Sequence, residues 1–189
     1  MKYIISGTNR PGSKTLMVSK HIQKMYADLG ETVEVIDLQE MGLGDVIGHY
    51  GDTAPDPMKA AIQKINSSDG LIVVVPEYNG SFPGAFKYFI DHWSYPNSFE
   101  FRPVCFVGIG WTFGGLRPVE HLQGVFGYRN AFMYPERVFM MNGPKYITPE
   151  AINDENVMKL LRSQTAGFQK FCKALADSGL AANQRPAKT

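Results

Sequence analysis

Cysteine is scarce in this sequence of 189 residues, which contains only Cys105 and Cys172 and no CxxC motif. The absence of that motif argues against a dithiol redox centre. Cys105 lies in the apolar segment PVCFVGIG and Cys172 in a segment of helical periodicity, so both are expected to be reduced, structural thiols. Such thiols are typical of a cytoplasmic protein, which is the location we expect.

An excess of charge is also lacking, because 19 lysines and arginines face 18 aspartates and glutamates and leave a formal net charge of +1. A nucleic-acid-binding domain carries a basic stripe, so we expect no nucleic-acid partner. No apolar run approaches the roughly 18 residues of a membrane span, and the start MKYIIS is too short for a secretory signal. We therefore expect no membrane association. We predict no metal site, because none of the four histidines has a cysteine or carboxylate at metal-ligand spacing.

Short apolar segments alternate along the chain with segments of helical periodicity. Strands are predicted within residues 2–6, 32–38, 70–75, 103–110 and 131–141. Helices are predicted within residues 13–30, 56–70, 81–93, 116–126 and 154–178, the second with Asp56 as its N-cap. This alternation predicts an α/β fold, a doubly wound parallel sheet with helices on both faces. We expect one domain over residues 1–178 and a disordered tail over residues 179–189.

Three of the predicted strands end in loops rich in glycine, proline and serine. The loops are SGTNRPGSKT (the first loop), PEYNGSFPG (the second loop) and GIGWTFGG (the third loop). In open α/β sheets, ligands bind at the carboxyl ends of the strands, near the point where the strand order reverses. We therefore expect the three loops to meet at one edge of the sheet and to form a ligand site there.

The first loop opens a helix, and the unpaired amide groups of a helix N-terminus attract a phosphate. Arg10 adds a charge-assisted donor, and hydroxyl donors come from Thr8, Ser13 and Thr15. The Walker pattern GxxxxGK[ST] fails by one residue at Ser13 and Lys14, and GxGxxG is absent. The alternative is an ordinary helix start with Ser13 as N-cap. The hydroxyl groups around an arginine favour the phosphate site.

The second and third loops combine aromatic side chains with accessible backbone. Tyr78 is flanked by Glu77, Asn79 and Gly80, and the third loop contains Trp111. A planar heteroaromatic ligand needs backbone donors and acceptors for its edge and an apolar wall for its face. The alternative for the third loop is a flexible surface connection with an incidental tryptophan. Beside a phosphate site, the two loops indicate a mononucleotide with a large flat ring.

These segments give the chain a resemblance to the NADPH-dependent FMN reductase family, flavodoxin-like proteins that include quinone, azo-dye and chromate reductases. The family signatures resemble GSxRxxSxN and PEYNxSxPGxLKNxID, and this sequence has GTNRPGSKT and PEYNGSFPGAFKYFID. The resemblance covers residues 2–172. It implies a flavodoxin-like sheet of five parallel strands in the order 2-1-3-4-5.

The resemblance also implies the residues that hold FMN. Those implied for the phosphate are Thr8, Arg10, Ser13 and Thr15. Those implied for the isoalloxazine ring are Pro76, Glu77, Tyr78, Asn79, Gly80, Gly110, Trp111, Gly114 and Gly115. Thr8 and Thr15 stand where the family usually has serine and asparagine, and both keep a polar donor. Trp111 and Phe113 replace small residues and are expected to narrow the substrate face.

The resemblance implies an NAD(P)H oxidoreductase that takes electrons from NADPH or NADH by ping-pong turnover. The acceptor is a quinone, azo compound, free flavin or metal oxyanion. We assign no catalytic side chain, since a flavin carries the chemistry itself. Glu77 is either a proton relay or, as we favour, a residue that closes the loop. The alternative function is a flavodoxin-type electron carrier, although such carriers are usually strongly acidic. The family resemblance implies a homodimer or homotetramer around the helix at residues 81–93, whose aromatics alternatively serve the core.

Overall fold

The computed structural model describes residues 1–42, 48 and 50–184. In this part of the chain six strands form one parallel sheet in the order β2-β1-β3-β4-β5, with β6 also paired to β4. The strands are β1 (Lys2–Ser6), β2 (Val33–Asp37), β3 (Gly70–Pro76), β4 (Pro103–Ile109), β5 (Phe132–Met133) and β6 (Val138–Met140). The predicted fold class and the order 2-1-3-4-5 are confirmed.

Five α-helices cover both faces of the sheet in the described residues. They are α1 (Lys14–Asp28), α2 (Asp56–Ser67), α3 (Gly84–Asp91), α4 (Leu116–Gly127) and α5 (Glu155–Asp177). On one face, side chains such as Ile5, Val73 and Phe106 pack against α2, α3 and α4. On the other face, side chains such as Ile4 and Val74 pack against α1 and α5. β3 and β4 are buried along their whole length because helices cover both sides.

The fifth predicted strand is split in two. β5 pairs with the start of β4, where Pro103 lies opposite Phe132, and β6 pairs with its end. Pro135, which has no backbone N–H, lies between the two short strands. The side chain of Gln164, on α5, donates to the carbonyl oxygens of Phe106 and Glu136, both at 2.9 Å. The buried side-chain amide of Gln164 therefore pairs with backbone carbonyl groups at the gap between β5 and β6, where strand hydrogen bonds are missing.

A polar side chain caps the N-terminus of α1 and of α5, whereas the predicted side-chain cap of α2 is absent. Ser13 Oγ accepts a hydrogen bond from the Leu16 amide at 3.2 Å, so Ser13 is the N-cap of α1, the role that the sequence offered as the alternative to a phosphate contact. Asp154 caps α5 in the same way, through the Val157 amide at 3.0 Å. The predicted N-cap of α2 was wrong, since the extended residue before the helix is Pro55 and the helix begins at Asp56 itself.

Short 3₁₀ turns lie at Leu38–Met41, Gly51–Thr53, Gly143–Lys145 and Ala182–Gln184. The last of these falls in the segment where a disordered tail is predicted. There the side-chain amide of Asn183 donates to the carbonyl oxygens of Ser67 and Ser68, at 3.0 and 3.2 Å. Residues 185–189 of that predicted tail, and residues 43–47 and 49 of the predicted loop after β2, lie outside the described residues.

Both thiols are buried in the core, as the sequence predicts, and neither forms a disulfide. Burial raises the pKa of the Cys172 thiol to about 12 and raises the pKa of Cys105 well above its ordinary value. Because the thiolate is the reactive form, both side chains act as small apolar residues.

Candidate flavin site

The first, second and third loops meet at the carboxyl edge of the sheet, around a cleft of about 400 Å³. Its volume falls within the range usual for small-molecule sites. The residues that line it are Arg10, Pro11, Gly12, Ser13, Lys14, Thr15, Pro76, Glu77, Tyr78, Ile109, Gly110, Trp111 and Pro144. The expected convergence of the three loops is therefore what the structure shows.

The first loop places its hydroxyl groups in a buried layer beneath the helix start. Thr8 and Thr15 are each 1% exposed, whereas Arg10 lies at the surface. The N–H of Gly7 donates to the Val74 carbonyl at 2.8 Å, which fastens the start of the loop to β3. A Cβ on Gly7 would lie 2.9 Å from that same oxygen, so the close approach requires glycine. The loop thus carries hydroxyls, an arginine and a helix N-terminus at one place.

The second loop is a tight turn. Tyr78 and Ser81 exchange backbone hydrogen bonds of 2.9 and 3.1 Å across it. The two residues between them, Asn79 and Gly80, have φ values of 50° and 79°, the left-handed backbone that an Asn-Gly pair adopts most readily. The phenol oxygen of Tyr78 lies 3.2 Å from Thr8 Oγ1. Tyr78 therefore links the second loop to the hydroxyl layer of the first.

The third loop brings its two ends into backbone contact. Gly114 and Gly115 have φ values of 60° and 82°, and a Cβ on Gly115 would lie 2.5 Å from the amide nitrogen of Ile109. A Cβ on Gly110 would lie 2.7 Å from the Gly115 nitrogen. Between these ends the loop holds Trp111 outward, with 57% of it exposed. The glycines therefore close the loop, and the tryptophan lies at the mouth of the cleft.

A second hollow of about 250 Å³ adjoins the main cleft. It is lined by Glu77, Asn79, Gly80, Trp111, Thr112 and Phe113. Glu77 and Trp111 line both hollows, so the two lie side by side. Of the residues predicted for the site, Thr8, Gly114 and Gly115 line neither hollow: Thr8 lies behind Tyr78, and the two glycines close the third loop.

Three contributors to this region were not predicted. Arg117, in the first turn of α4, donates to Glu77 Oε1 at 3.0 Å, and its guanidinium lies 4.1 Å from the ring centroid of Phe113. His121 Nδ1 lies 2.8 Å from Ser81 Oγ, a second contact between the second loop and α4. Pro144 reaches the cleft from the segment after β6. Their sequence signals are weak, since a lone arginine, histidine or proline has many structural uses.

The residues present fit FMN. Hydroxyl donors, an arginine and a helix N-terminus suit the phosphate, and the aromatic and backbone surface of the other two loops suits a flat ring. In the described part of the chain, no group of three or more His, Cys, Asp or Glu side chains is placed to hold a metal ion. No helix within those same residues combines the length and apolar character of a membrane span.

A parallel sheet of this order, with three loops around a cleft at its carboxyl edge, defines the flavodoxin-like fold and places a ligand cleft where that fold has one. The family model described as NADPH-dependent FMN reductase matches residues 3–145, and the chain belongs to that family. The family resemblance seen in the sequence is thereby confirmed.

Curated relatives agree with this assignment. The chain is 31% identical over 142 residues to the FMN reductase (NADPH) of Pseudomonas aeruginosa, covering 72% of this chain and 73% of the relative. It is 27% identical over 175 residues to the quinone reductase of Escherichia coli K12, covering 87% and 91% of the two chains. The protein is therefore an NAD(P)H-dependent oxidoreductase with FMN as cofactor and NAD(P)H as co-substrate.

Solved structures share the fold. The flavoenzyme NAD(P)H:(acceptor) oxidoreductase FerB of Paracoccus denitrificans is 24% identical, with a TM-score of 0.71 over 92% of this chain and 97% of that one. The apo form of the NADH:FMN oxidoreductase EMOB is 17% identical, with a TM-score of 0.77 over 90% and 88% of the two chains. At these identities the likeness concerns the fold alone.

Proposed function

We propose that the cleft at the carboxyl edge holds FMN and passes electrons from NADPH or NADH to a small planar acceptor. The observation that carries this proposal is the meeting of a hydroxyl-rich helix start with two aromatic, glycine-bearing loops around one cleft. The residues assigned to the phosphate are Arg10, Ser13 and Thr15, which line the cleft, with Thr8 supporting them from behind Tyr78. The residues assigned to the ring are Pro76, Glu77, Tyr78, Asn79, Gly80, Gly110 and Trp111, with Gly114 and Gly115 shaping the third loop behind them.

The protein's own groups bind and orient in this mechanism. FMN supplies the electron-transfer chemistry when it is bound. The hydroxyls of the first loop and the charge of Arg10 hold the phosphate, while Tyr78 fixes the second loop against Thr8. Trp111 shields the mouth of the cleft from water. The pairing of Glu77 with Arg117 supports a loop-closing role for that carboxylate over a proton relay.

The surface around the mouth favours a flat, apolar acceptor. Trp111, Phe113 and Met141 are 57%, 50% and 61% exposed, and large apolar side chains left in water beside a cleft mark a binding surface. Quinones and azo compounds match that surface better than a metal oxyanion does, and free flavin matches through its ring. Curated relatives include the Escherichia coli quinone reductase and an FMN-dependent NADPH-azoreductase of Staphylococcus saprophyticus.

The adjacency of the two hollows supports ping-pong turnover. The two hollows share Glu77 and Trp111, so a nicotinamide and a planar acceptor would compete for the same place beside the ring. The acceptor then enters only after the oxidised nicotinamide has left.

We propose a cytoplasmic homodimer or homotetramer, which rests on the family resemblance and on the buried thiols. The aromatic residues of α3 and its C-terminal end do not add to the oligomer argument. Phe86 and Phe89 are fully buried and Trp93 is 6% exposed within one chain, so the core accounts for them. Tyr95, which is 65% exposed, is left for a contact between subunits. Light scattering coupled to size exclusion tests the assembly, and a monomer would contradict it.

Steady-state kinetics test the proposed function. The purified protein, loaded with FMN, is assayed with NADPH and with NADH against a quinone, an azo dye, free FMN and chromate. We expect the quinone or azo dye to give the highest kcat/KM, with parallel lines in double-reciprocal plots. Chromate as the best acceptor, or intersecting lines, would contradict the proposal. Replacing Trp111 with alanine should raise the KM for the preferred acceptor.

A further inference from the structure

An ion pair between Glu77 and Arg117 ties the second loop to α4. The two side chains are 14% and 45% exposed, and Arg117 Nη1 donates to Glu77 Oε1 at 3.0 Å. The same guanidinium lies over the ring of Phe113, 4.1 Å from its centroid. One arginine thus contacts both loops that flank the proposed ring site.

Helix stability does not explain Arg117. It lies in the first turn of α4, where the helix dipole favours negative rather than positive charge. A partly exposed ion pair contributes about 1 kcal/mol or less to folding. The position of Arg117 between the second and third loops, rather than helix stability, is the feature that bears on the site beside it.

The carboxylate of Glu77 lies over the end of β4. The Glu77 amide donates to the Ile109 carbonyl at 2.8 Å, and Glu77 Oε2 lies 3.4 Å from the position that a Cβ on Gly110 would take. Glu77 also lines both hollows. Its negative charge is therefore at the wall against which the ring is proposed to lie.

We propose that Arg117 is a positioning residue for FMN, which fixes the Glu77 carboxylate over Gly110 and balances its charge. The inference rests on the proposed placement of the ring. Reduction adds negative charge to a flavin, and an unbalanced carboxylate nearby opposes that charge by Coulomb repulsion. With Arg117 present, the site accepts the reduced cofactor; without it, the site binds reduced FMN more weakly than oxidised FMN.

The test compares Arg117→Gln, Arg117→Lys and the double variant Glu77→Gln/Arg117→Gln. The midpoint potential of bound FMN is measured by equilibration with a reference dye, and the Kd of oxidised FMN by titration of the apoprotein. Arg137→Gln is the matched control, because Arg137 also pairs with a polar side chain, Gln123 at 3.0 Å, and lies over an aromatic ring, that of Phe139.

We expect Arg117→Gln to lower the potential by about 30 mV, which corresponds to a tenfold greater loss of affinity for reduced than for oxidised FMN in a two-electron couple. Arg117→Lys and the double variant should return the potential to the parent value, and Arg137→Gln should not move it. An unchanged potential in Arg117→Gln, or a shift that persists in the double variant, would overturn the role of Arg117.

Separate variants test the placement of the site and the role of Arg117. Arg10 lines the cleft and lies at the surface, so Arg10→Gln probes the proposed phosphate position without disturbing the core. If oxidised FMN binds the parent apoprotein and Arg10→Gln fails to weaken that binding, the placement of the site is wrong. If Arg10→Gln weakens binding while Arg117→Gln leaves the potential unchanged, the site stands and only the role of Arg117 is wrong.

Discussion

The two ends of β4 use polar groups in opposite ways. Arg102, just before the strand, is 2% exposed and directs its guanidinium entirely at the protein itself. Beyond the other end, Trp111 is 57% exposed and the backbone turns through glycines around a cleft. Before β4, the polar groups bond within the protein and stabilise the fold. After β4, the loop leaves its polar and aromatic groups exposed to a ligand.

At the start of β4, which we call the closed end, the guanidinium of Arg102 binds several carbonyl groups. Arg102 donates to the carbonyl oxygens of Ser98, Asn97 and Asn66, at 3.0, 2.8 and 2.9 Å, and to both the carbonyl and the hydroxyl of Ser68. Asn66 and Ser68 lie at the C-terminus of α2, where carbonyl groups lack helix partners. Burial lowers the pKa of Arg102 to about 10, which still leaves it charged at neutral pH.

The open end differs because its donors and aromatic groups are only partly used within the chain. Its close contacts are backbone to backbone, as between Gly115 and Ile109, and they fix loop shape without filling the cleft. The comparison separates positions that matter for folding from positions that matter for FMN. Variants at the two ends should therefore affect different measurements.

The largest effect on stability is expected for Arg102→Met. The change removes all the hydrogen bonds of the guanidinium, including those to the buried residues Ser68 and Ser98, which costs about 3 kcal/mol of unfolding free energy. Urea denaturation of the apoprotein measures the loss. The Kd of FMN for the protein that remains folded should not change, and a weaker Kd at unchanged stability would contradict the division between the two ends.

The next effect is expected for Gly115→Ala at the open end. The added Cβ would meet the Ile109 nitrogen at 2.5 Å, on a backbone with φ of 82°. The third loop must shift, so FMN affinity should fall about tenfold or more. Gly124→Ala on α4 is the control, because a Cβ there meets nothing within 4 Å. That substitution should raise stability by about 0.5–1 kcal/mol and leave FMN affinity alone.

A smaller effect is expected for Thr8→Val, which removes the hydroxyl that contacts Tyr78 and the Arg10 amide. FMN affinity should fall about fivefold, the value of one hydrogen bond. Thr165→Val removes a hydroxyl that is also buried, in α5, where it donates to the Leu161 carbonyl at 2.7 Å. Thr165→Val should lower stability and leave the Kd of FMN unchanged. Titration of the two variant apoproteins with FMN measures the difference.

The smallest effect is expected between the two ends, at the middle of β4. Burial raises the pKa of Cys105 there and raises that of Cys172, on α5, to about 12, and it also keeps reagents away from both thiols. A thiol reagent should react with neither cysteine in the folded protein and with both after denaturation. A fast-reacting thiol at pH 8 would show that this region opens.

Much of this organisation could be predicted from the sequence. Alternating apolar and helical segments determine the sheet, and loops after parallel strands must meet at its carboxyl edge. Local chemistry also offered the Ser13 cap, as the alternative to a phosphate contact. The family motifs supplied the strand order and the cofactor, since PEYN followed by SFPG is a specific signature.

The remainder depends on contacts that only the folded chain makes. The split of the last strand is stabilised by Gln164, which lies far along the sequence on α5. The pairing of Arg117 with Glu77 joins residues 40 positions apart. The Asp56 cap was mispredicted because Pro55 already supplies the extended residue before α2. Local patterns do not encode such pairings.

Amide hydrogen exchange with and without FMN tests the central claim most directly, since it reports on both ends of β4 in one experiment. The account predicts that FMN protects residues 7–15, 76–81 and 110–115. It predicts no change in residues 94–102, around the Arg102 cluster. Protection confined to the amino end of the sheet, or no protection of the three loops at saturating FMN, would contradict the proposed site.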